Sequence, residues 1–238
     1  MSGFLSSPFL LKLYREKSEL LRVIYEFNTC FLYYAHSSWL SKLFPDVPSE
    51  MWDSLKVHRG CARYFSKQLA SKISTNDEDA NFYDFEKLEH RFALLPAQEV
   101  MDLLLFSGLA RAFKNINSMV DRDSILRIRG AIGERGYNFS LRKAPFILGS
   151  SVPLVELKMN DNMNLEQEIT KAGVACLKTL FADMSPAVLK KFFLKLPVYF
   201  EKEWEAVHAL DAPTDSLKHF LRRVLLHEVG CRWANLLF

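Results

Sequence analysis

Three glycines spaced three apart, Gly130, Gly133 and Gly136, are the first candidates for chemistry in this chain. A glycine-rich turn can offer backbone N–H groups to a phosphate. The spacing here is GxxGxxG, whereas dinucleotide loops use GxGxxG, and no Lys-Ser or Lys-Thr pair follows as in a P-loop. No strand pattern leads into the stretch. The glycines therefore predict the end of a regular helix and a tight turn. Two pairs could ligate a metal: His227 with Cys231, four apart on one predicted helical face, and His58 with Cys61, three apart. Each supplies two ligands, where zinc takes three or four from protein. Packing explains them better, with Cys231 read as a buried thiol. No GxSxG elbow, HExxH or paired-carboxylate signature is present, so a catalytic site would have to be assembled in space from distant residues. Glu201, Glu203 and Glu205 alternate with Lys202, Trp204 and Ala206 and read as a solvated helix surface. No motif calls for a cofactor.

One region has an uneven charge. Arg122, Arg127, Arg129, Arg135, Arg142 and Lys143 are accompanied over 122–143 only by Asp123 and Glu134. Such a stretch can be a solvated face, or a docking patch that speeds encounter with an acidic protein and fixes its orientation. It could also meet nucleic acid, but neither aromatic interleaving nor a helix-turn-helix pattern accompanies it. An acidic stretch over Asp77–Glu89 is a weaker candidate for a second surface.

The rest of the chain has to position these residues. Its 238 residues, 49% hydrophobic, can close one large core or two small ones. The net charge of +3 gives no general reason to expect nucleic acid or acidic lipid as a partner. No stretch approaches the roughly 20 apolar residues that cross a bilayer. The start, Met1-Ser2-Gly3-Phe4-Leu5, lacks the basic region and cleavage site of a secretory signal. Cysteines at 30, 61, 176 and 231 form no CxxC pair and are expected as reduced thiols.

Helical periodicity dominates. Leu20, Leu21, Ile24 and Phe27 recur at helical spacing behind Ser18 as a cap, and Ser49 is placed to cap Met51, Trp52 and Leu55. Residues 74–79 form a polar loop. A helix opened by Pro96 and carrying Leu103 to Phe106, Leu109 and Phe113 is apolar on most sides and belongs at the centre of the core. Asp121 or Asp123 caps the next helix. Asn164 with Gln167 resembles a capping box, and Ser185-Pro186 a cap with proline at the first helical position. A last helix starts near Pro213 and runs to Trp233. The expected class is mainly α: a single-domain, bundle-like helical fold. Residues 144–158 are the one candidate for a short two-stranded or extended segment, kept to an edge by Pro145 and Pro153.

Several segments, taken in order, resemble a known family. Phe27-Asn28 followed by Tyr34, His36, Ser38, Trp39 and Leu40 is similar to the N-terminal signature of the type III secretion sorting-platform protein K family (SctK, the YscK/PscK-like proteins). Leu103-Leu104-Leu105-Phe106-Ser107-Gly108-Leu109 resembles its central helix, and Ile132-Gly133-Glu134 with Tyr137, Phe139 and Leu141 its next block. Ile169, Gly173 and Leu177 lead to Leu194-Lys195-Leu196-Pro197, similar to the family's LKLP block, and Glu228-Val229, Trp233 and Leu236-Leu237-Phe238 complete the order. Cys30 and Cys231 stand where the family has proline, and Lys191 where it has arginine. The resemblance implies a helical adaptor domain over 27–238 behind an N-terminal helical extension, 1–26. It implies a non-catalytic protein without cofactor at the cytoplasmic face of the injectisome. Such proteins bridge the cytoplasmic domain of the inner-membrane ring protein, the D component, to the spoke protein, the Q component. The spoke connects through the L component to the export ATPase. Neither nucleic acid nor membrane insertion is implied.

Overall fold

A computed structural model describes residues 8–73, 83–157 and 164–238. Among them the structure is helical, with no strand, so the mainly α expectation holds. The polar loop at 74–79 and part of the acidic stretch, 77–82, lie outside the described residues. Residues grouped by internal contacts form two compact units.

The first unit holds the described residues up to Ala97, together with Asp183–Lys202 and Leu236–Phe238. Its helices are α1 (Pro8–Glu16), α2 (Ser18–Thr29), α3 (Phe31–Tyr34), α4 (Ser37–Leu43), α5 (Met51–Val57) and α6 (Arg59–Ile73). A 3-10 turn at Glu89–Leu94 follows. Leu20, Ile24 and Phe27 place one face of α2 inside, as their spacing predicts. Neither serine caps as expected: α2 starts after Lys17 and α5 after Glu50, both without a side-chain cap, and the Ser49 hydroxyl turns to Glu50. A core of Phe31, Leu32, Leu40, Trp52, Ala62 and Leu69 closes against Leu194.

The second unit holds Gln98–Ala182 and Glu203–Asn235. It is built around α7 (Ala97–Ser118), which buries residues on most of its circumference. Then come α8 (Arg122–Arg142), α9 (Ala144–Leu148) and α10 (Leu165–Leu180). Of the remaining helices, α11 (Pro186–Phe193) belongs to the first unit, α12 (Tyr199–Ala206) has residues in each, and α13 (Thr214–Val224) and most of α14 (Cys231–Leu237) belong to the second. Asp121, Asn164 and Ser185 cap α8, α10 and α11, accepting from the amides of Ser124, Gln167 and Val188 at 2.8, 3.2 and 3.4 Å. The amide of Ser124 holds the Asp121 carboxyl below its usual range. Only half of the Asn164–Gln167 box forms, because the Gln167 amide donates outward to Glu203 at 3.0 Å.

Three expectations need correction. Residues 144–148 form α9, and no strand appears among the described residues at 149–157. Pro145 sits in the first turn of that helix, where its missing N–H costs nothing. Gly130 and Gly136 lie within α8. Gly133 alone breaks it, at φ 71 and ψ 167, a kink that a side chain would resist. The last stripe is not one helix either. After α13, Leu225–Val229 forms a π-helical turn, and Gly230 separates it from α14.

Candidate interaction surface

Two groups of cations stand out. The first is interior. Lys191, Lys195, Arg91 and Arg111 are each at most 8% exposed. In the first unit, Lys195 donates to the carbonyls of Ala93 and Leu95 at 2.8 and 2.9 Å, with its ammonium 4.8 Å from the centre of the Phe27 ring. Lys191 donates to Asn28 Oδ1 at 2.8 Å. Arg91 donates to the carbonyls of Phe85 and Leu237, both at 2.7 Å. In the second unit, Arg111 donates to the carbonyls of Pro153 and Ala172 at 2.9 and 2.6 Å. These groups donate to buried oxygens, several of them carbonyls left over at turns and helix ends, and water does not reach them. They are structural.

The signature segments lie in the same interior. The His36 amide donates to the Leu194 carbonyl at 2.7 Å, and the Val198 amide to Ser38 Oγ at 3.0 Å. The half-buried Trp39 donates its indole N–H to the carbonyls of both Phe193 and Leu196, each at 3.0 Å. His36 also caps α4, its Nδ1 accepting from the Ser38 amide at 3.2 Å. The N-terminal signature and the LKLP block are thus two halves of one lock. In the second unit, α7 and α10 meet glycine to glycine. A Cβ on Gly108 would stand 1.8 Å from the Ile169 carbonyl oxygen, and one on Gly173 1.9 Å from that of Leu104. Only the absence of a side chain permits that approach. The C-terminal Trp233 donates to Glu99 Oε1 at 3.1 Å.

The second population is the basic stretch of α8. All six side chains are exposed, but they are not equivalent. Arg129 pairs with Glu134 at 3.5 Å and lies over the Tyr137 ring. Arg135 reaches Asp102 at 4.0 Å, donates to the Glu228 carbonyl and covers the Phe106 ring. Lys143 pairs with the buried carboxylate of Glu228 at 2.6 Å. Arg129 is thus engaged within α8, and Arg135 and Lys143 fasten the helix to its own unit. Arg122, Arg127 and Arg142 are exposed as well, and the Arg127 charge also acts on the Asp121 carboxyl. Arg122, Leu126 and Arg129 share a face by spacing, and Leu126 is exposed there. Val120 and Phe146, at 87% and 81% exposure, precede and follow the helix in the chain. The charge excess is visible in the sequence, but its fastened members are not, because Asp102 on α7 and Glu228 lie far along the chain from Arg135 and Lys143.

The candidate metal pairs do not assemble. His227, Cys231 and His58 are exposed, and Cys61 is half-buried. Gly230 interrupts the helical face that was to carry His227 and Cys231. Among the described residues, no three His, Cys, Asp or Glu side chains gather as a metal site. The thiol that is buried is Cys176, whose pKa burial pushes up to about 11. Sequence reading passes over a third set of cations, Arg59, Arg63 and Lys67, whose signal is their spacing by four along α6. No described helix is long and apolar enough to cross a membrane.

No curated protein and no solved structure matches this chain. A family model does: YOP proteins translocation protein K (YscK) matches residues 22–231. That span contains every signature segment described above except the last residues of the C-terminal block, and these segments make the locks that hold both units. The chain therefore belongs to the YscK family and is a type III secretion protein.

Proposed function

We propose that this protein is a non-catalytic adaptor of the type III secretion sorting platform, peripheral at the cytoplasmic face of the apparatus. It bridges the cytoplasmic domain of the inner-membrane ring protein, the D component, to the spoke protein, the Q component. Through the spoke it is linked to the L component and the export ATPase. Membership of the YscK family over nearly the whole chain carries this reading. Support comes from how the residues are used: the buried cations and signature residues are spent on internal carbonyls, and the outward groups are of a kind that grips a protein surface.

The face assigned to the ring protein is α8. Arg122, Arg127 and Arg142 supply long-range attraction for an acidic surface, and Arg135 and Lys143 hold the helix in place beneath them. Exposed Leu126, Val120 and Phe146 supply apolar area for the docked state. Charge at such a rim sets encounter rate and salt dependence, and desolvated apolar anchors set residence time. Co-purification of the full chain with the ring protein's cytoplasmic domain and with the spoke protein tests the reading. Both should be retained, together and in one complex. Retention of neither, with a folded chain, contradicts it.

A further inference from the structure

A groove of about 600 Å³ opens on the first unit, outside the α8 surface. Its long wall is α6. Arg59, Arg63 and Lys67 stand at successive helical turns along the lip. Ala62, Ser66 and Ala70, three residues further along each time, form the floor. The end of α2 and the start of α3 make the opposite wall, with Tyr25, Phe31 and Tyr33. The Ser66 hydroxyl accepts from the Leu32 amide at 3.1 Å, which pins α3 to α6 and fixes the width. Among the residues lining this groove there is no carboxylate. None of the three cations makes an ion pair among the described residues, although paired carboxylates are common elsewhere on this surface.

We infer that this groove is a docking site for an acidic, amphipathic segment of a partner protein. Charge complementarity names the occupant: three positive groups in a row, with no internal counter-charge, face an open channel. Geometry narrows it. Side chains four apart on α6 rise about 6 Å, the interval between carboxylates one turn apart on a facing helix or two residues apart on a strand. The floor of small residues lets a backbone approach closely, and the tyrosines offer rigid apolar faces to residues between the acids. A free anion would use one cation; the row spans about two helical turns, roughly 12 Å, and fits a polymer. The inference goes beyond the α8 assignment and stands or falls separately from it.

The test is fluorescence anisotropy of the full chain with a labelled synthetic peptide bearing glutamate at every fourth position and leucine on the neighbouring face. Wild-type protein should bind it at low salt. The triple variant Arg59→Glu, Arg63→Glu, Lys67→Glu should bind roughly 100-fold more weakly, and Arg122→Glu, Arg127→Glu, Arg142→Glu should bind like wild type. Cys30 also lines the groove and is half-buried, whereas Cys231 is exposed elsewhere. On unmodified protein, the peptide should slow alkylation of Cys30 and leave Cys231 unchanged. Equal binding by the α6 variant, loss with the α8 variant instead, or no protection of Cys30 overturns the inference. Tighter binding of a single-stranded oligonucleotide than of the peptide at the same salt also overturns it, in favour of nucleic acid.

Discussion

The two units hold their signature segments together by opposite means. In the first, donors do the joining: the His36 amide and the Trp39 indole tie α4 to the LKLP block, and the Lys195 ammonium ties that block to the turn carbonyls of Ala93 and Leu95. In the second, α7 and α10 are joined by absence, with Gly108 and Gly173 removing the atoms that would hold the helices apart. A hydrogen-bonded lock loses strength one donor at a time. A glycine crossing has no partial state, because its contact is between backbones. The first should weaken gradually under substitution and the second should fail abruptly.

The sharpest break is therefore Gly108→Ala or Gly173→Ala. Each puts a methyl group within 2 Å of a backbone carbonyl oxygen that has nowhere to go. We expect a loss of about 3 kcal/mol or more in urea unfolding, or failure to accumulate folded protein. Lys195→Met comes next. It keeps the apolar stem and leaves the buried carbonyls of Ala93 and Leu95 without this donor, which should cost about 2–3 kcal/mol by the same measurement. Alkaline titration probes the second unit differently. Cys176 ionises near its ordinary value of 9.0 when unfolded but at about 11 in the fold. The unfolded chain therefore releases its proton first, and stability falls between those values by up to about 1.4 kcal/mol per pH unit. Cys176→Ala should remove that part of the decline. The smallest effect is Trp39→Phe, which keeps a ring but deletes one donor and should cost about 1 kcal/mol.

How much of this could be read from the sequence follows from the same contrast. Caps at Asp121, Asn164 and Ser185 were legible because a cap is a local bargain between neighbours. The glycines of the α7–α10 crossing were legible as signature positions, but their meaning depends on the partner helix, 60 or so residues away in the chain. The glycine run misled: three glycines suggest a helix end, yet only Gly133 takes a left-handed backbone, while Gly130, exposed, and Gly136, packed against Leu109, stay helical. Cys231 was misread as buried because the continuous apolar period hid the break at Gly230. Lys191 and Lys195 show the other blind spot. A lysine in a pattern reads as a surface residue, and burial is decided by carbonyls contributed from distant segments. The docking cations of α8 were legible as a group, while the division into fastened and outward members depends on Asp102 and Glu228.

Above all, the fold is held by interior donors and glycines while binding is carried by outward cations, so the two should separate. The direct measurement is the affinity of the ring protein's cytoplasmic domain for Arg122→Glu, Arg127→Glu, Arg142→Glu at low salt, alongside urea unfolding of the same variant. Stability should stay within about 0.5 kcal/mol of wild type, and affinity should drop roughly 100-fold with a shallower salt dependence. Undiminished affinity with the wild-type salt dependence would contradict the account.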